Sequence, residues 1–346
     1  MLFVRQPMNL KVVRWDIVGV SLGLFGCLLT IVTVNLTLRA EDNAHRVTEA
    51  YQGFQDGKCK SCHPAIWREW ENSMHAKAWV DEIYQAAAKQ VPDRKTKCDQ
   101  CHAPQPILIT GVGKMPKLRD KQREAGVSCL VCHLDAHGAM NGPPASAETY
   151  FHANVTNPIY TEPTVLCGTC HGQQSVPEHD QVSSFLKSKF AEGDASCATC
   201  HMPVVTRLQS TTSHESIKGR KHTWRGSRSV AQLKRAATLQ LGYVDGKADV
   251  KLRSQTGHIL PGGTLRTIVL EVTRHAPDGT QLQKQQISIS AKNENRLFPN
   301  ENRAYAFDIP SATTGDTIKA RLIYQLTPDT PEPKRILMAE KTHIVP

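Results

Sequence analysis

The chain has 346 residues, a formal charge of +10 and 11 cysteines, room for two domains of ordinary size. Such a charge first suggests nucleic acid or acidic lipid, and such cysteine usage a disulfide framework. The disulfide reading is excluded because ten of the cysteines form pairs two residues apart whose second member is followed by histidine. Aromatic residues make up only 6% of the chain, thin for a conventional core.

The N-terminus opens with Arg5, Lys11 and Arg14 and no acid as far as Arg14, and from Ile17 to Leu38 no residue is charged. Those 22 residues are long enough to span a bilayer as a helix. The positive charges before the span place residues 1–16 in the cytoplasm, make 17–38 a transmembrane anchor and export the rest. A cleaved signal peptide is disfavoured because Leu38-Arg39-Ala40 is a poor small-residue cleavage site and the apolar run is long. A lipid-attachment box at Leu24-Phe25-Gly26-Cys27 is disfavoured by the bulk of Phe25.

Five C-x-x-C-H runs follow: Cys59-Lys60-Ser61-Cys62-His63, Cys98-Asp99-Gln100-Cys101-His102, Cys129-Leu130-Val131-Cys132-His133, Cys167-Gly168-Thr169-Cys170-His171 and Cys197-Ala198-Thr199-Cys200-His201. Two cysteines on one helical turn form thioethers to the two vinyl groups of a haem, and the next histidine meets the iron as proximal ligand. Zinc knuckles or redox C-x-x-C pairs would leave all five histidines unexplained. Five haem c groups carry two propionates each, about −10 in total, so the basic residues read as propionate partners and no nucleic-acid surface is expected. The motifs start 39, 31, 38 and 30 residues apart, too close for a separate domain around each haem. The haems are expected to share one wrapped core over residues 39–228, helical and loop-rich.

Ten further histidines are available as sixth ligands. His75 lies in Pro64–Gln90, which reads as one helix with Trp67, Trp70, Met74 and Ala78 on an apolar stripe. It stands 12 residues beyond His63, about 18 Å of helix, so it is expected to reach a neighbouring haem. His222, in Lys221-His222-Thr223-Trp224, and His258, on the glycine- and proline-fixed loop Thr256–Gly263, are expected to be distal ligands. His152 is a fourth candidate, and His45, His179 and His214 compete for any fifth position. His137 reads as a propionate or solvent contact, His275 and His343 as surface residues.

Beyond residue 228 the pattern changes to strands: Ala237–Val244, Ala248–Arg253, Arg266–Thr273, Gln281–Ser290, Ala304–Ile309 and Thr317–Leu326. Turn signals separate them at Asp245-Gly246, Pro277-Asp278-Gly279 and Thr314-Gly315-Asp316. Six or seven short strands over residues 229–346 indicate an all-β, immunoglobulin-like sandwich.

The haem region resembles multihaem cytochromes of the cytochrome c-554 type, here with an anchor and an added sandwich. The matching pieces are Glu69-Trp70-Glu71-Asn72-Ser73-Met74-His75, Cys101-His102-Ala103-Pro104, Gly126-Val127-Ser128-Cys129 and Cys200-His201-Met202-Pro203 followed by His222. Gly257-His258-Ile259-Leu260-Pro261-Gly262-Gly263 resembles a loop of relatives that carry the sandwich. The resemblance implies that His75, His222 and His258 are distal ligands and that the chain transfers electrons in respiratory, nitrogen or sulfur metabolism. The namesake has four haems and no anchor, so ligand pairings do not carry over. The methionine that NapC/NirT-type quinol dehydrogenases place after their first motif is replaced here by Pro64-Ala65-Ile66.

The expected function is an electron relay on the periplasmic side of the inner membrane, between a membrane donor and periplasmic acceptor proteins. Its helix would contact lipid, and it would serve alone or as a subunit of a larger redox complex. The alternative is an oxidoreductase acting on a small nitrogen or sulfur compound at an open haem. No C-x-x-C-K variant of the motif occurs, which favours the relay.

Overall fold

The computed structural model describes residues 39–143, 151–173 and 179–346. The expected anchor, 17–38, lies outside them. Among the described residues no helix is long and apolar enough to cross a membrane.

The first two thirds of the described chain are short helices joined by turns. α1 occupies 39–55, followed by α2 (Lys58–Cys62), α3 (Pro64–Glu71), α4 (Glu82–Ala88), α5 (Gln100–His102), α6 (Ile107–Thr110), α7 (Cys129–His133), α8 (Pro163–His171), α9 (Val182–Leu186) and α10 (Cys197–His201). Every C-x-x-C-H run sits on such a turn, which puts its two cysteines on one face. A π-helical turn, Lys95–Asp99, leads into the second run. Proline at the first position starts α3 and α8. Two short strand pairs are interleaved: β1 (Met140–Gly142) with β2 (Asn154–Thr156), parallel, and β3 (Val204–Arg207) with β4 (Ile217–Arg220), antiparallel.

The single helix expected over Pro64–Gln90 is interrupted. α3 stops at Glu71, residues 72–80 run through turns, and α4 restarts behind Asp81, whose carboxylate caps the Tyr84 amide at 3.3 Å. The reason is tertiary. His75 O accepts from Val127 N at 2.8 Å, and Trp70 Nε1 donates to Val127 O at 2.8 Å. The segment is therefore stitched to the 119–127 loop as well as to its own next turn, where Ala78 N donates to His75 O at 3.2 Å.

α11 (Val230–Lys234) leads into seven longer strands: β5 (Ala237–Val244), β6 (Lys247–Ser254), β7 (Thr267–His275), β8 (Gln281–Ser290), β9 (Asn302–Asp308), β10 (Thr317–Gln325) and β11 (Ile336–Ile344). They form two antiparallel sheets, in the orders β5-β6-β9 and β11-β10-β7-β8. One core fills the space between the sheets. It takes Leu239, Val250 and Leu252 from the first sheet and Ile268, Leu270, Ile289, Ile318 and Leu322 from the second. The strict alternation of β6 buries every second residue, as a two-layer sandwich requires. β11 carries the mixed sequence Ile-Leu-Met-Ala-Glu-Lys-Thr-His-Ile and pairs with β10 alone, so its pattern is weaker than that of its neighbours.

The helical region is different inside. Its buried apolar residues form two small clusters, Phe54, Trp70, Leu130 and Leu134 in one and Ile107, Val131 and Leu166 in the other. Between the helices lies a cavity of about 3240 Å³, several times the roughly 300–1,000 Å³ of a single small-ligand pocket.

Candidate haem-binding site

All five C-x-x-C-H histidines line the cavity, as do all ten cysteines of those runs. None of the ten cysteines described is in a disulfide. The motifs approach one another at their cysteine edges. Cys101 lies close to Cys170 and Cys167 close to Cys197, while Cys59 lies within electrostatic reach of Cys129, and Cys132 of both Cys167 and Cys170.

Four of the motif histidines face a second histidine across the cavity. The ring centres are 6.4 Å apart for His63 and His152, 6.2 Å for His133 and His222, 6.3 Å for His171 and His75, and 6.1 Å for His201 and His258. With metal–nitrogen bonds of about 2 Å and roughly 1.1 Å from nitrogen to ring centre, one iron between two imidazoles sets the centres about 6.3 Å apart. Among the described residues no group of three or more His, Cys, Asp or Glu could hold a bare metal ion. A metal taken by two imidazoles must therefore bring its own equatorial ligands, as a porphyrin does. The residues fit haem.

The protonation states agree. Burial pushes His75 and His222 down to about 3 and His102 down to about 4, and it also lowers His133, His171 and His258. Neighbouring imidazoles depress His75 further. These rings are held neutral, the form that ligates metal. Burial also raises the Cys132 thiol to about 11 and the Cys129 thiol to about 12, the opposite of what a thiolate zinc site needs.

The second motif stands apart. Its His102 donates from Nδ1 to Ala78 O at 2.6 Å, and Tyr84 lies flat on its ring with centres 3.5 Å apart. Among the described residues no histidine faces it at the separation of the other four. His179 lies within electrostatic reach of His102 and is hydrogen-bonded through Nε2 to Thr264 Oγ1 at 2.8 Å. Of the remaining candidates, His45 is exposed beside Glu49. His137 and His214 are also exposed.

The family model for cytochrome c554 and c-prime matches residues 58–134, a span that carries the first three motifs. A penta-heme cytochrome c552 from Thermochromatium tepidum superposes with a TM-score of 0.60 at 19% identity, covering 83% of this chain and 97% of its own. At that identity the likeness speaks for the fold. The motifs and these likenesses support a multihaem c-type cytochrome. Beta-glucuronidase 2 of Bacteroides uniformis matches over 31% of the chain and 12% of its own length, at 16% identity and a TM-score of 0.17, too slight to argue from. No curated protein matches the chain.

Several residues that serve the cytochrome site carry no motif of their own. Glu69 accepts from the His222 amide at 2.9 Å and pairs with Arg207 at 3.2 Å, so α3 fixes the backbone of His222. Arg119, 5% exposed, donates to the carbonyls of Pro104, Lys121, Gln122 and Gly126 and so shapes the loop that holds His75. Behind His102, Asp99 accepts from the Tyr84 hydroxyl and from Arg94 Nε. Glu69 falls in a stretch singled out by resemblance and Asp99 inside a C-x-x-C-H run. Arg119 and Tyr84 gave no signal, because their partners are distant in sequence or are main-chain atoms.

Proposed function

We propose that the chain is an electron-transfer protein carrying five haem c groups, relaying electrons between a membrane donor and periplasmic acceptor proteins. The observation that carries this is the set of four histidine pairs spaced for one iron each around a single cavity. Bound haems supply the one-electron iron centres. His63, His102, His133, His171 and His201 act as proximal ligands, with His152, His222, His75 and His258 as distal ligands to the first, third, fourth and fifth motifs. An iron held between two such imidazoles would have no place left for a substrate. The cysteine contacts bring the edges of the first and third motifs together, and those of the fourth against the second, third and fifth. The apolar run at 17–38 supports a single inner-membrane anchor, with the remainder on the periplasmic side.

One observation favours a second reading for part of the molecule. Among the described residues no histidine ring stands opposite His102 at the separation of the other four pairs, although His179 is within electrostatic reach; this supports an open position at the second motif and chemistry on a small nitrogen or sulfur compound there. Optical and electron paramagnetic resonance spectra of the holoprotein, with and without carbon monoxide, separate the two. Five low-spin irons that ignore carbon monoxide uphold the relay alone. One high-spin iron that binds carbon monoxide, lost or altered in Cys98→Ala, moves the second motif to the enzyme reading.

A further inference from the structure

The five motif histidines all present Nδ1 to an oxygen, but unequally. Four face main-chain carbonyls: His63 meets Gln209 at 2.7 Å, His102 meets Ala78 at 2.6 Å, His133 meets Asn141 at 2.6 Å, and His201 meets Arg225 more closely still. His171 alone faces a side chain, Gln181 Oε1, at 3.2 Å, the long end of the hydrogen-bond range. Of the opposite rings, His222 Nδ1 meets Arg220 O and His258 Nδ1 meets Ile259 O, both at 3.0 Å, and His75 Nδ1 is buried with no hydrogen-bond partner among the described residues. What sets the fourth motif apart is therefore the His171 bond to Gln181.

These bonds bear on the metal. With Nε2 committed to iron, Nδ1 carries the proton and donates it. A good acceptor there makes the imidazole a stronger base and favours the more highly charged iron; a poor acceptor does the reverse. His171 and His75 are thus the weakest-polarised pair in the cavity. They also belong to the motif whose cysteines meet those of the second, third and fifth. The Gln181 side chain lies close to the sandwich loop at Gly262, where an added Cβ would stand 3.2 Å from its Nε2. The same loop supplies His258 and Thr264, and Ile259 N donates to Ser184 Oγ at 3.1 Å.

We propose that Gln181 is a positioning residue whose long bond to His171, together with the bare Nδ1 of His75, gives the iron of the fourth motif the highest reduction potential of the four bis-histidine irons. That iron is then where electrons collect, at the junction of the array. The inference rests on the haem ligation proposed above.

The test is a potentiometric titration of the full-length holoprotein, followed by electron paramagnetic resonance and magnetic circular dichroism, with haem content measured on every variant. Gln181→Glu strengthens the acceptor and is expected to lower one low-spin potential; Gln181→Met, of similar length, removes it and is expected to raise the same one. In the unaltered protein that signal is the first low-spin iron to be reduced. A purely structural role for Gln181 would move both variants in the same direction, or spread the change over all signals, and either result overturns the inference. So does an opposed shift in an iron that is not the first reduced. A holoprotein with fewer than four bis-histidine signals before any substitution overturns the ligation reading instead.

Discussion

Gly126 is where the backbone and the His75 ligand meet most tightly. Its φ is +56° and its ψ −131°, a region open in practice to glycine alone. An alanine Cβ there would stand 2.5 Å from His75 O and 2.7 Å from Ala76 O, against an ordinary carbon–oxygen contact of about 3.3 Å. Gly126→Ala must therefore push residues 75 and 76 back by roughly 0.8 Å, while an iron–nitrogen bond of about 2 Å tolerates little stretching. Backbone strain adds about 1–3 kcal/mol. A total near 3 kcal/mol lowers the population with His75 ligated by about a hundredfold, at 1.4 kcal/mol per decade. The expected result is a holoprotein with full haem content, one additional high-spin iron and new carbon monoxide binding at that iron. Gly279→Ala is the control: φ is +87° there with nothing within 4 Å of the added carbon, so it costs about 1–2 kcal/mol and leaves the spectra alone. Unchanged low-spin spectra in Gly126→Ala at normal haem content would refute the claim that this loop holds His75 in place.

Glu69→Ala leaves the His222 amide and Arg207 without their acceptor; it is expected to cost about 1.5–3 kcal/mol, read as a lower thermal midpoint together with weakened low-spin character at the third motif. Asp316 is held below the usual carboxylate range by hydrogen bonds from Thr313 N and Arg274 Nε. Its depressed value contributes stability that is present above the unfolded-state pKa and lost as pH falls through the folded one. The thermal midpoint of the native chain should therefore drop more steeply below about pH 4 than that of Asp316→Asn. Leu270→Ala, at a fully buried position between the sheets, is expected to destabilise the sandwich by about 2–5 kcal/mol in chemical denaturation without changing haem content.

The C-x-x-C-H runs needed no fold to be read, because attachment uses three side chains on one turn and local geometry suffices. The strands from Ala237 to Gln325 were legible for a similar reason: alternation is a property of neighbours, and in β6 it buries every second residue. Even His258 could be picked out from its rigid loop. What the sequence could not set was which ring faces which. His75 opposes His171 across nearly a hundred residues, while His152 returns to His63, and no spacing rule fixes such a match. The break in the helix beyond Glu71 has the same origin, since His75 O bonds Val127 N rather than only its own next turn. The unequal Nδ1 bonds are more remote still: four motif histidines meet main-chain carbonyls that every residue type carries alike, and only His171 meets a side chain. The sequence by itself determined where haem is joined to the chain, through contacts within five residues. The tertiary structure alone decided which histidines face one another and what their Nδ1 atoms meet, because those contacts join residues far apart in sequence that only the closed fold brings together.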